Sequence, residues 1–325
     1  MPSPARMLSA CVLLLAALPG CDAMNRLRGA QTAFNGDSAL AFAKAQVAFG
    51  PRVPGTEAHR QAGDWIVTQM RARADSVEVQ TWTHKTQDGK SLPMRNILAR
   101  FRPRETTRVL YITHWDTRPT ADSDRNLGAK QRSFDAANDG AAGVGLFVAL
   151  ASALKKAPPN VGVDLLFVDG EDWGTFESWE DTTKNKDVLI GSQYFARSLP
   201  DSYKPIFGVV FDMIGDAGLQ LFQEGYSANA APEVVSRVWN AAKELGYSRY
   251  FIAQPGTAIA DDHLPFIRRG LRVIDVIDYD YCSDGGVDCL GDERNLHHTT
   301  GDTIERISAK SLQIVGDVAL ALVTR

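Results

Sequence analysis

The sequence predicts an α/β fold in a single domain, a mostly parallel central β-sheet flanked by helices on both faces, and three observations carry that expectation. Short runs of buried-type residues recur at Val109 to Thr113, Val163 to Val168, Phe207 to Asp212 and Arg272 to Asp278, each short enough for a strand covered on both sides. Helical stretches separate them, and strand–helix alternation of this kind builds parallel sheets. Polar residues capable of metal or proton chemistry stand directly after the runs, where open α/β sheets place their ligands.

In chain order, Asp37 and Ser38 are candidate caps for a helix from Ala39 to Phe49, and Thr56 for one from Glu57 to Arg73, with Gly50-Pro51-Arg52-Val53-Pro54-Gly55 breaking the two apart. Val77, Val79 and Thr81 share one face of a strand, with Asn96 to Phe101 as its partner and Lys85 to Lys90 as the turn. Then follow the strand at Val109, a helix from Ala141 to Leu154, the strand at Val163, a helix from Asp187 to Ser198 and the strand at Phe207. A short strand at Leu219 to Gln223, a helix from Pro232 to Leu245, the last strand and a closing helix near Ser308 to Val323 complete the series.

The chain has 325 residues, enough for one large core. Its 35 basic against 39 acidic side chains, with no Lys/Arg block, exclude a surface built to neutralise phosphate, so nucleic acid is not an expected partner. Residues 1–20 read as a signal peptide: Arg6 precedes an apolar stretch, Met7 to Leu18, too short to span a bilayer. Leu18-Pro19-Gly20-Cys21 resembles the end of a bacterial lipoprotein signal, which makes Cys21 the expected lipidation site and residues 21–31 a polar lipid-anchored tether. The remaining residues, 32–325, are expected to form the one folded domain that carries the function. Export to a cell-envelope location, periplasmic or on the surface side, suits the remaining cysteines, since Cys282 and Cys289 are close enough to close a disulfide loop in an oxidising compartment.

The chemistry centres on Leu165 to Gly174, LLFVDGEDWG, where a buried strand ends in adjacent carboxylates, Glu171 and Asp172. Neighbouring acids repel, so a fold uses them best when one binds a metal and the other carries a proton. His114 and Asp116 follow the strand at Val109, Asp212 ends the strand at Phe207, Asn138-Asp139-Gly140 precedes a helix, and His297-His298-Thr299 follows the last strand. Asp139, Asp172 and His298 supply the three protein donors a catalytic zinc needs, leaving Glu171 as general acid and base. His114 and Asp212 are candidates for a second zinc bridged by Asp139, or for supporting hydrogen bonds. There is no HExxH, GxSxG or Walker sequence, and the glycines at 140, 143 and 145 lack dinucleotide-loop spacing and read as close helix packing.

These residues resemble the zinc aminopeptidases that share a fold with animal-type glutaminyl cyclases. The resemblance runs from FGPRVPGTEAH at Phe49 to His59 through the last helix, on HWDTRP at His114, ANDGAAGVG at Ala137, FVDGEDWG at Phe167 and GSQYFA at Gly191. VFDMIGD at Val210 and DDHLPFIRRG at Asp261 are similar to the cyclase branch. The resemblance implies one zinc held by Asp139, Asp172 and His298, two if the protein is an aminopeptidase, with Glu171 as proton shuttle and Asp212 and Asp261 as acids beside it. It implies an enzyme on peptide or protein N-termini that converts glutamine to pyroglutamate, or else an aminopeptidase, or a binding protein that has lost catalysis. It also implies a cis peptide between Asp139 and Gly140, and a substrate pocket walled by His297, where cyclases usually have tryptophan, and by Trp173 or Trp179.

Overall fold

A computed structural model describes residue 1 and residues 33–178, 184–286 and 289–324. Apart from residue 1, the segment expected to be a leader and tether, with Cys21, lies outside these residues, as does Trp179. Six strands form one sheet: β1 (Ser76–Lys85), β2 (Ser91–Phe101), β3 (Arg108–His114), β4 (Gly162–Val168), β5 (Phe207–Asp212) and β8 (Val273–Ile277), in the order β1-β2-β4-β3-β5-β8. The four strands β4, β3, β5 and β8 are parallel; the β1–β2 hairpin adds antiparallel strands at the β4 edge. That hairpin is why the sheet is mixed: its tight turn at Thr86 to Lys90 can only reverse the chain, whereas the parallel strands are joined through helices.

Alternation along the strands separates two cores. Val109, Tyr111, Leu165, Phe167, Val209 and Phe211 face one layer, packed under α1 (Gly36–Val47), α2 (Glu57–Arg71), α3 (Gly143–Lys156), α6 (Pro232–Glu244) and α8 (Ala309–Thr324). Leu110, Ile112, Leu166, Val168 and Val210 face the other, under α4 (Ile190–Ser198) and α7 (His263–Arg268). Helix α3 is the central one, buried along almost its whole length. Gly145 lets α1 cross it closely, because a Cβ there would stand 2.4 Å from the Ala39 carbonyl oxygen.

Local chemistry shifts some boundaries. Helix α1 begins at Gly36, ahead of the expected Ala39, because Asn35, in extended backbone, accepts the Ser38 N–H at 2.7 Å and takes the capping place expected of Asp37 and Ser38. Thr56 caps α2 by accepting from the His59 N–H. Three short elements carry no periodic signal and emerge only from the structure: α5 (Gly225–Ala230), β7 (Phe251–Pro255), which pairs with β6 (Leu221–Gln223), and α7, which contains Pro265.

Candidate active site

Strand ends deliver the polar side chains. β3 terminates in His114, β4 is followed by Glu171 and Asp172, and β5 terminates in Asp212, so three neighbouring parallel strands present their acids and imidazole at one edge. The turn at Ala137 to Ala142 brings Asp139 to the same place. Gly140, at φ 102°, makes this turn, and a Cβ there would meet the Asp116 carbonyl oxygen at 2.9 Å and the His114 ring at 3.0 Å. No cis peptide occurs among the described residues, so the bond between Asp139 and Gly140 is trans and the expectation of a cis bond is corrected. The positive φ of Gly140 performs the reversal instead.

Asp139 stands in the middle, with its two oxygens facing opposite ways. Oδ1 lies 3.1 Å from His114 Nε2, which is also 3.1 Å from Asp212 Oδ1. Oδ2 lies 3.4 Å from His298 Nε2, which in turn is 3.0 Å from Asp172 Oδ1. His297 Nε2 is 3.8 Å from the same Asp139 oxygen, and its ring centroid is 3.6 Å from that of His298. Two donor groups therefore share Asp139: His114, Asp139 and Asp212 on one side, and Asp139 with His298, Asp172 and His297 on the other. Either histidine of the pair reaches the second group.

These side chains lie at the wall of a cavity of about 450 Å³ lined by Asp139, Glu171, Asp172, Asp212, Asp261, His297 and His298, with apolar walls from Phe176, Val188, Ile259 and Ile277. His114 is buried behind them. Trp173, expected in the pocket wall, is not there: it packs against Leu92, Met94 and Ile190, with the Lys90 ammonium over its ring. Those apolar neighbours give its indole a burial that an acid-lined cavity does not.

Three further residues position the site; Asp116 stands after the strand at Val109, but strand-end chemistry gives no hint of the positioning role of any of the three. Asp116 accepts the backbone N–H of Glu171 at 3.1 Å and of Asp172 at 3.4 Å, which holds the paired acids in place. Asp302 accepts the N–H groups of Asn138 and Asp139, at 2.8 and 3.1 Å. Arg118 donates to Asp172 Oδ1 and to the carbonyls of Asp172 and Gly174. Asp116 and Arg118 sit inside the HWDTRP motif, so their place in it was the available signal; Asp302 had none.

Burial and charge set unusual proton affinities here. Burial, reinforced by the adjacent Asp172 charge, pushes the Glu171 carboxyl well above its ordinary value. Burial likewise raises Asp212 to about 7. Burial would raise Asp139 too, yet the imidazoles of His114 and His298 hold it well below the usual range. His298 is raised to about 10 against its burial, chiefly by Asp172, whereas burial and the neighbouring His298 lower His297 to about 3 and keep that ring neutral.

The residues fit a zinc ion. Asp172 Oδ2 is buried without a hydrogen-bond partner, and Asp139 Oδ2 faces His298 Nε2 at 3.4 Å without forming a hydrogen bond, a costly state for carboxylates that a bound cation would relieve. Imidazole and carboxylate donors on separate loops are the mixture zinc takes. In the loop after β8, Cys282 and Cys289 form the expected disulfide.

The model of peptidase family M28 matches residues 96–323. The chain is similar to the crystal structure of Porphyromonas gingivalis glutaminyl cyclase, at 38% identity and a TM-score of 0.81, over 90% of this chain and 98% of that one. It is similar to that of a leucine aminopeptidase precursor from Bacteroides thetaiotaomicron, at 34% identity and a TM-score of 0.80, over 89% and 97%. Glutaminyl-peptide cyclotransferase of Bos taurus is 26% identical over 289 residues, covering 79% of this chain and 76% of the relative.

Proposed function

Because this chain belongs to peptidase family M28, we propose that it is a zinc-dependent enzyme of peptide N-termini that cyclises N-terminal glutamine to pyroglutamate and releases ammonia. The observation that carries the reading is the company Glu171 keeps: Asp212 and Asp261 line the same cavity, beside the donors Asp139, Asp172 and His298. The similarity to solved glutaminyl cyclases over nearly their whole length supports it.

Bound zinc, held by Asp139, Asp172 and His298, would act as a Lewis acid on the carbonyl of the glutamine side-chain amide. Glu171 accepts a proton from the α-amine as its nitrogen bonds to the amide carbon, and returns that proton to the nitrogen that departs. One C–N bond forms, one breaks, ammonia leaves, and no water is consumed. A group that must both take and give a proton works best with an affinity near the working pH, and the burial that raises Glu171 supplies that tuning. Asp116 keeps the Glu171 backbone fixed while the proton moves. His297, neutral and half-buried, takes a wall position, a smaller and more polar surface than tryptophan would offer.

A specific observation favours a second reading. His114, Asp139 and Asp212 form a complete donor group of their own, which suits a two-zinc aminopeptidase in which Glu171 deprotonates the attacking water. The presence of Glu171, Asp139, Asp172 and His298 together argues against an inactive binding protein. The leader pattern and Cys21 support an exported, lipid-anchored enzyme of the bacterial cell envelope.

The deciding experiment incubates the purified chain with a glutamine-initiated and a leucine-initiated peptide and follows both by mass spectrometry. Loss of ammonia from the first with the second untouched is expected. Release of a free amino acid from either would replace the cyclase by the aminopeptidase.

A further inference from the structure

A second cavity, of about 470 Å³, adjoins the first and is lined in part by the same side chains, Thr257, Ile259, Ile277 and Tyr279. Its remaining walls come from Gln220, Phe222 on β6, Glu224, the chain from Gln254 to Gly256 at the end of β7, Asp280 and Leu290. The two chemistries differ. The first cavity gathers His297, His298, Arg118 and five acids; in the second, Glu224 and Asp280 are the only charged side chains among the described residues, and neither projects unused into it. Glu224 accepts the N–H groups of Tyr226, Ser227 and Ile259, and Asp280 accepts the Cys289 N–H at 2.9 Å. Apart from these two bonded carboxylates, the lining is aromatic, aliphatic and neutral polar.

Leu290 stands out on this wall. It is 46% exposed, among the few large apolar side chains left in solvent. Its described neighbours are tied down: Cys289 is bonded to Cys282 and donates its N–H to the Asp280 carboxylate, and the Gly291 carbonyl accepts from Arg125. An exposed apolar side chain at the rim of a cavity, with Phe222 and Tyr279 on the same cavity, is the composition of a recognition surface.

We infer that this second cavity receives the residues following the first one of the substrate peptide, favours apolar or aromatic side chains there and disfavours acidic ones, with Leu290 and Phe222 as specificity-determining residues. The occupant follows from continuity: a peptide whose first residue reaches Glu171 must leave the catalytic cavity along some wall, and the shared wall leads here. The preference follows from the lining, which offers apolar contact and two negative charges but, among the described residues, no basic group. The inference rests on the reading of the enzyme as acting on peptide N-termini, though not on which of the two reactions it performs.

The test compares the full chain with its Leu290→Ala and Phe222→Ala variants on glutaminamide and on glutamine-initiated tetrapeptides bearing Phe, Ala or Glu in the second and third positions. Leucine-initiated counterparts run in parallel, and both ammonia and free amino acid are recorded. The expected result is a KM raised about tenfold for the Phe tetrapeptides, as loss of a buried apolar contact implies. The kcat should stay unchanged, as should both constants for glutaminamide, and the wild type should rank Phe above Ala above Glu. Equal effects on glutaminamide and tetrapeptide, or no effect on either, would overturn the inference. Release of amino acid in place of ammonia would end the cyclase reading and leave this one standing. Affinity for a pyroglutamyl Phe tetrapeptide, measured by equilibrium binding, tests the same contact without turnover: wild type tighter than Leu290→Ala supports the groove, and equal affinity removes it.

Discussion

β3 and β4 carry buried charge at both ends, in opposite states. At the amino end, Arg108 donates to both oxygens of Asp164, at 2.8 and 2.5 Å, the Tyr203 hydroxyl donates to Asp164 at 2.7 Å, and Arg108 also reaches the Glu105 carbonyl. At the carboxyl end, about 20 Å further along β3 at the usual strand rise, His114 Nδ1, Asp139 Oδ2 and Asp172 Oδ2 are buried with no hydrogen-bond partner. Saturated pairing makes a fixed element of structure, because the charged groups already have their partners. Unsaturated pairing of carboxylates with a basic group leaves capacity for a cation and a substrate. The difference between ends, more than the presence of buried charge, marks the working side of the sheet.

The contrast is sharpest under mutation. Glu171→Gln keeps the shape and removes the proton carrier, so turnover should fall about a hundred- to ten-thousandfold in an ammonia-release assay while zinc content holds. A variant that bound zinc and kept full turnover would contradict the role given to Glu171 in either reaction. Arg108→Met, at the other end, takes the bidentate partner from the Asp164 carboxylate, leaving it the Tyr203 hydroxyl and Arg100 at 3.8 Å, and should cost about 3–5 kcal/mol in denaturant unfolding, as breaking a buried pair does. Its turnover per folded molecule should match the wild type. Adding Asp164→Leu should restore most of that stability, and failure to do so would mean the pair matters for more than charge balance.

A finer test concerns which half of the Asp139 site is filled. With a single zinc on Asp139, Asp172 and His298, His114→Ala should retain near one metal per chain by elemental analysis, with affinity weakened about 10–100-fold as for a supporting group. Two zincs in the wild type, one in the variant, and activity lost with it would point to the aminopeptidase.

The smallest expected effect is alkaline. Burial, with Asp164 beside it, raises the Tyr203 hydroxyl well above its ordinary value. The folded state keeps a proton that the unfolded state releases near pH ~10, so stability from this group is complete below that pH and declines as pH rises beyond it. Melting temperatures from about pH 9 to 11, the range around the free tyrosine value, should drop less steeply in Tyr203→Phe than in the wild type. Parallel curves would exclude Tyr203 as a contributor.

The sequence carried the architecture and the donors because both are written locally. Runs of buried-type residues announce central strands, and acids and histidines stand next to them in the chain, so β3, β4, β5 and β8 and the residues Asp139, Glu171, Asp172 and Asp212 stood out locally, whereas the choice of His298 over His297 came from the family resemblance and the structure brings both to the site. Long-range geometry was not. Nothing near Trp173 in sequence says that Leu92, Met94 and Ile190 will draw its ring away from the cavity, and nothing local says that Asp116 will hold the Glu171 N–H across 55 residues. Asn35 displaced the expected cap of α1, and Gly140 turned the chain with a trans bond where a cis one was expected. Periodicity and strand-end chemistry are properties of neighbours along the chain; which carboxylate oxygen is left unpaired, and which loop walls the second cavity, depend on distances that exist only once the strands have paired and the helices have packed over them.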